Sequence, residues 1–213
     1  MSGISERLAA ASGAAGIAVL IVGGEIFNGD GPLARAGYAL VVLSFVAFLV
    51  FLSFLHRILR EAEGSGGWVA TLAVGAGLVY AAVRFAAQPP RMVAFYRDDL
   101  TPESARTLVD LNDTAFVSSG LLMGLFVAAA AWVFLAHRVL PRWLGWFGFG
   151  SGVLAVGAGV VGMAYPAGYI PFPFLAGLIW ILVVSVRLTI RPQSVARGDR
   201  SGTGSLAVAA GTH

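Results

Sequence analysis

Six apolar stretches, each close to or at the length needed to cross a bilayer as a helix, occupy most of this chain. They lie near Leu8 to Phe27, Arg35 to Leu55, Trp68 to Ala87, Thr114 to Ala136, Leu144 to Tyr165 and Phe172 to Val186. A hydrocarbon core of about 30 Å calls for about 20 apolar residues in helical form. Only helices or closed barrels satisfy every backbone polar group in lipid. The pattern predicts an all-α polytopic membrane protein: a bundle of six transmembrane helices spread over residues 1–190, with a short helix on the outer surface. Residues 191–213, rich in Gly, Ser, Ala and Thr, are expected to form a disordered cytoplasmic tail.

Composition excludes the competing classes. Hydrophobic residues make up 58% and charged residues 12% of the chain, and the mean hydropathy is +0.83, far from the balance of a soluble domain. The pI of 9.8 belongs to a formal net charge of only +3, carried by arginines scattered among the loops, so no nucleic-acid partner is expected. With no cysteine in the chain, disulfides, thiolate metal sites and cysteine catalysis are excluded. The first apolar run is longer than the core of a signal peptide and lacks a strong cleavage site, which predicts a retained anchor.

Orientation follows from the arginines. With the N-terminus placed in the cytoplasm, nine of them (Arg7, Arg57, Arg60, Arg138, Arg142, Arg187, Arg191, Arg197 and Arg200) fall inside and four (Arg35, Arg91, Arg97 and Arg106) outside. The excess lies mainly in short turns and the tail, where the positive-inside rule applies, and both termini are expected in the cytoplasm. After the second span, His56 to Glu63 continues a helix into water, with Arg57 and Glu61 at i,i+4 spacing, until Gly64-Ser65-Gly66-Gly67 ends it. Pro141 stops the fourth span, and Trp143 suits the interface.

The outer loop from Arg91 to Asn112 is the longest polar connection. Thr101-Pro102-Glu103 spells a helix start, with Thr101 as cap and Pro102 in the first turn. Ala105, Leu108, Val109 and Asn112 keep helical spacing. The pattern predicts a short helix lying on the outer surface, with Leu111-Asn112-Asp113-Thr114 then capping span four. A lid over an external cavity is the functional alternative for this segment.

Two charges fall clearly inside apolar spans, Glu25 and Arg84. Each lies within about one turn of the outer end of its span, so they share a depth. A lone charge in hydrocarbon costs about 2.5 to 3.5 kcal/mol on insertion scales, which predicts that both face the bundle interior and pair, with Asp113 at the mouth of span four as a third member. A structural ion pair, snorkelling to the interface and a ligand or ion site each account for the three residues. Gly148 and Gly152, in a glycine-rich fifth span, predict close packing against another helix, because no Lys-Ser/Thr of a phosphate loop follows.

His56 and His137 fall at helix ends beside arginines and read as interfacial residues, so no metal and no cofactor is expected. No His-Glu-x-x-His or Gly-x-Ser-x-Gly motif occurs, and nothing in the sequence points to catalysis. Arg57-Ile58-Leu59-Arg60-Glu61-Ala62-Glu63-Gly64 with its following Gly-Trp, Leu111-Asn112-Asp113-Thr114-Ala115-Phe116, and Leu140-Pro141-Arg142-Trp143-Leu144-Gly145-Trp146 together resemble a group of uncharacterised six-span integral membrane proteins common in actinobacteria. The resemblance runs from span two to span five. It implies a bacterial inner-membrane location and the six-helix layout, and it supplies no activity and no residue roles. Two functional classes stay open. One is binding or transport of a small amphiphile or ion through an outward-facing cavity near Glu25, Arg84 and Asp113. The other is a non-catalytic membrane partner or assembly factor acting through its glycine-faced helix and outer loop. Expected contacts are membrane lipids, a small amphiphilic ligand and a membrane-protein partner.

Overall fold

A computed structural model describes residues 3–28, 33–64, 66–165 and 169–190; the expected disordered tail lies outside them. The elements run α1 (Gly3–Asn28), α2 (Ala34–Glu63), α3 (Trp68–Ala86), α4 (Gln88–Tyr96), α5 (Pro102–Ala136), α6 (Arg142–Ala164) and α7 (Phe172–Ile190). Among the described residues there is no strand, and six helices are long and apolar enough to cross a membrane, α4 forming the short extension of the third. The six alternate in direction. The starts of α1, α3 and α6 and the ends of α2, α5 and α7 share one end of the bundle, called the terminal end below. The opposite, distal end carries α4 and the start of α5.

Neighbours follow chain order around a ring, α1 to α2 to α3 to α5 to α6 to α7, and α7 returns to α1. Within the ring α5 also touches α2 and α7, which makes it the most buried helix. Its stretch from Met123 to Phe134 is sheathed by Leu52, Leu55, Trp180 and Ile181, all of them fully or almost fully buried. The outward faces carry Leu43, Val46, Val153, Leu154, Ile179 and Leu182. Apolar surface facing lipid is no liability there, because the tails are as apolar as the side chains.

Since lipid removes the hydrophobic drive for helix pairing, close backbone approach has to hold the helices together. A methyl group added to Gly124 would sit 2.7 Å from the Gly152 carbonyl oxygen, so α5 and α6 cross backbone to backbone. The predicted close packing at Gly152 is therefore present. Gly148, one turn away, does a different job: it leaves room for the Trp180 indole, which donates to the Leu144 carbonyl at 2.9 Å. That bond satisfies an N–H that is otherwise expensive to bury. A second bond ties α7 to α1. The Ser185 hydroxyl accepts from the Ala14 N–H at 2.8 Å and donates to the Ala10 carbonyl, bridging two groups that pair directly in a regular helix.

Chain punctuation behaves as its chemistry dictates. The helix α2 runs to Glu63 and stops at Gly64, whose φ of 81° suits a residue without a side chain. Pro89 and Pro90 occupy the first turn of α4, just past a break at Ala87. Thr101 caps α5, its hydroxyl accepting from the Ser104 N–H at 3.2 Å, with Pro102 next. The separate surface helix expected to begin there is not separate. It is continuous with span four, because Leu111 to Thr114 offers neither proline nor glycine to end a helix and some of its polar groups find partners without leaving helical geometry. The Thr114 hydroxyl, for example, donates to the Asp110 carbonyl at 2.8 Å. The resulting 35-residue helix is about 52 Å long and overshoots a hydrocarbon core by about 20 Å. The short helix of the distal end is α4, which packs on the start of α5.

Candidate functional site

At the distal end polar side chains enter the bundle between α3 and α5. Arg84 leaves α3 half-buried and lays its guanidinium over the Phe116 ring of α5, 5.0 Å from the centroid. One of its terminal nitrogens, Nη1, is enclosed and has no hydrogen-bond partner among the described residues. Asn112 stands one turn from Phe116 on the same stripe of α5. It is 4% exposed, gives its Nδ2 hydrogen to Asp113 Oδ1 at 3.1 Å, and leaves its own Oδ1 enclosed and unpaired. A buried donor beside the Phe116 ring and a buried acceptor one turn before it on α5 are thus both unpaired among the described residues. Each such orphan costs about 1–3 kcal/mol.

Tyr169 completes the layer. The segment after α6 sends its ring back between α5 and α6, where a Cβ on Gly120 would lie 3.1 Å from the phenol oxygen and one on Gly162 would lie 2.6 Å from the ring. The ring stacks edge-on to Phe116 at 5.9 Å. Burial pushes the phenol above its ordinary range, against the opposing pull of Arg84. Asp113, Tyr80, Tyr169 and Arg91 all lie within electrostatic reach of Arg84. Asp113 is exposed and, with Asp110, Thr114, Val117, Gly162 and Met163, lines a cleft of about 360 Å³ between α5 and α6.

Of the three residues singled out from sequence, the structure brings Arg84 and Asp113 together and leaves Glu25 apart. Glu25 is exposed on α1 and makes no ion pair or hydrogen bond among the described residues. The reason is rotational. Gly23 and Phe27 turn toward α2, where Leu40 and Tyr38 receive them, and a residue midway between them points about 160° away from that face at 100° per residue. Shared depth placed Glu25 and Arg84 at one level but not on facing sides. Asn112, Tyr80 and Tyr169 were not recognised as site residues. The helical spacing that groups Asn112 with Ala105 and Leu108 was the available signal for the first, and nothing local marks the other two.

Other ligand types are sparse. His56 is half-buried and His137 exposed at the terminal end, and among the described residues no group of three or more His, Asp or Glu side chains is gathered around one point.

Fold and polar layer together define a multi-pass helical membrane protein with an uncompensated polar cluster at one end. Residues 25–191 match the family described as "Domain of unknown function (DUF4386)", and the chain belongs to that family. No curated protein and no solved structure matches the chain.

Proposed function

We propose that this chain binds a small amphiphile at its distal end, with the polar head meeting Arg84 and Asn112 and the apolar part resting on Val117 and Met163 in the cleft between α5 and α6. The observation that carries this reading is the pair of enclosed atoms unpartnered among the described residues, Arg84 Nη1 beside the Phe116 ring and Asn112 Oδ1 one turn before it on α5. A ligand head with one acceptor and one donor would satisfy both and recover the desolvation cost. Asp110 and Asp113 at the mouth disfavour a bare anion and favour a head of mixed polarity. In this reading the site faces outward, both termini are cytoplasmic, and the membrane is the cytoplasmic membrane of a bacterium. The arginine asymmetry, nine against four, supports that orientation.

N-Lauroylglycine, whose head carries an amide donor and a carboxylate acceptor, is a suitable probe on the purified full chain in dodecylmaltoside. At ten times its Kd it should raise the thermal midpoint by roughly 3 °C, and Arg84→Gln should abolish the rise while dodecanol produces none. Equal protection of wild type and Arg84→Gln would overturn the assignment.

A further inference from the structure

A second groove at the distal end, formed by α1, α4 and the start of α5, uses different residues. It has a volume of about 410 Å³ and is lined by Phe27, Arg91, Ala94, Phe95, Arg106 and Val109. Aromatic and aliphatic walls with two guanidinium groups make a surface that is apolar along its length and cationic at its polar positions. Arg91 is held in place by stacking over the Phe27 ring at 5.0 Å, and Phe27 in turn rests on Phe95 at 5.7 Å. Arg106 is exposed on α5 and forms no ion pair with Glu103 or Asp110, its acidic neighbours about one turn away on either side. Its charge has no ion-pair partner among the described residues.

Depth decides what such a groove can hold. Phe27 packs on Tyr38 of α2 at 5.9 Å, and Tyr38 lies about 28 Å along that helix from Arg57. Arg57 is at the terminal end, in an exposed ion pair with Glu6 at 2.8 Å. The groove therefore sits about one hydrocarbon thickness from the opposite charged rim, at the level of the distal headgroups. At that level the ligand that offers both an anion and an adjoining apolar chain is an anionic phospholipid. Two arginines can share its phosphate oxygens in forked geometry, which a neutral or zwitterionic headgroup with its own cation offsets.

We propose that the groove between α1, α4 and α5 is a binding site for one anionic phospholipid of the distal leaflet, with its phosphate held between Arg91 and Arg106 and its upper acyl chain against Phe95 and Val109.

The test is native mass spectrometry of the full chain released from vesicles of equimolar phosphatidylglycerol and phosphatidylcholine. Wild type should retain one phosphatidylglycerol with at least about fivefold preference, which two charge-assisted contacts readily provide. Arg106→Gln should bring the ratio close to one. Arg106→Lys should keep part of it, and Arg97→Gln, at an exposed arginine outside the groove, should keep all of it. Because Arg106 is exposed, its substitution leaves the bundle intact, and an unchanged thermal midpoint of Arg106→Gln verifies this. An undiminished preference in Arg106→Gln, or an equal loss in Arg97→Gln, would overturn the site. Displacement of the lipid by millimolar inorganic phosphate would also overturn it, by showing a free-anion site in its place.

Discussion

At the terminal end of the bundle, Arg57, Arg60 and Glu63 are matched to partners. Arg57 joins Glu61 one turn along α2 and Glu6 on α1, both at 2.8 Å. The Glu63 carboxylate leaves α2 and accepts from the first free backbone N–H groups of α3, those of Val69 at 3.1 Å and Ala70 at 2.7 Å, and Arg60 donates to the Gly67 carbonyl at 3.1 Å. The distal end is built of the same residue types and differs in outcome. Arg84 Nη1, Asn112 Oδ1 and the Tyr96 hydroxyl are enclosed without partners among the described residues, and the ion pair described there, Arg97 with Asp99, is fully exposed. Burial without pairing is costly, and pairing without burial contributes little. One end of the bundle is finished as a structure, whereas the other retains unmet hydrogen-bonding capacity where a ligand could supply it.

Three substitutions can break or sharpen this contrast. The largest effect is expected from Glu63→Ala, which removes a charged cap from the start of α3 and should lower stability by about 1–2 kcal/mol, read as a drop in thermal midpoint in detergent. A midpoint within error of wild type would mean that the terminal end does not owe its stability to matched groups. Next, Arg84→Met deletes the orphan donor while keeping an unbranched side chain over Phe116. It should raise stability of the ligand-free protein by about 1 kcal/mol, since a buried unpaired group is replaced by an apolar one. A loss of that size would show that Arg84 is already satisfied, and the contrast between the ends would collapse. The smallest effect belongs to Asp99→Asn. The hydrogen bond from Arg97 holds the Asp99 carboxyl below its ordinary value of 3.8, so the pair favours the folded chain above that pH and the contribution fades as acid protonates the carboxylate. Both partners are in water, and no change in thermal midpoint at pH 7 is expected. A measurable drop at pH 7 that disappears at pH 3 would show that exposed pairs matter here.

What could be read from the sequence was whatever depends on near neighbours along the chain. Apolar run length marked the six spans, Thr101 with Pro102 marked a helix start, Gly64 marked the end of α2, and the spacing of Arg57 and Glu61 marked a pair that is formed. Each of these is decided within one stretch of chain, about twenty residues for a span and about four for the others. What could not be read is how each helix is rotated about its axis. A soluble helix announces its buried face by leaving the other face polar, but a helix in lipid is apolar on both, so the side on which Glu25 or Arg84 projects leaves no trace in hydropathy. The reach of Glu63 into α3, the burial of Asn112 and the return of Tyr169 between α5 and α6 depend on that hidden rotation. The continuity of α5 was missed for another reason: Asn112 to Thr114 reads as a cap by residue type, yet mid-helix these side chains bond locally and the backbone runs on.

The Ser185 bridge to Ala10 and Ala14 has a consequence for the order in which the protein is made. Its two sides are separated by 171 residues in the chain. At about 5–20 residues per second on the ribosome, α1 leaves the ribosome roughly ten to thirty seconds before the hydroxyl that completes it. During that interval the Ala14 N–H has only its own helix to turn to, and the ring of helices stands open between its first and last members. Closure thus waits for the arrival of α7, and a nascent chain halted before Ser185 would expose the α1 face that α7 covers to whatever insertion factor or protease stands nearby.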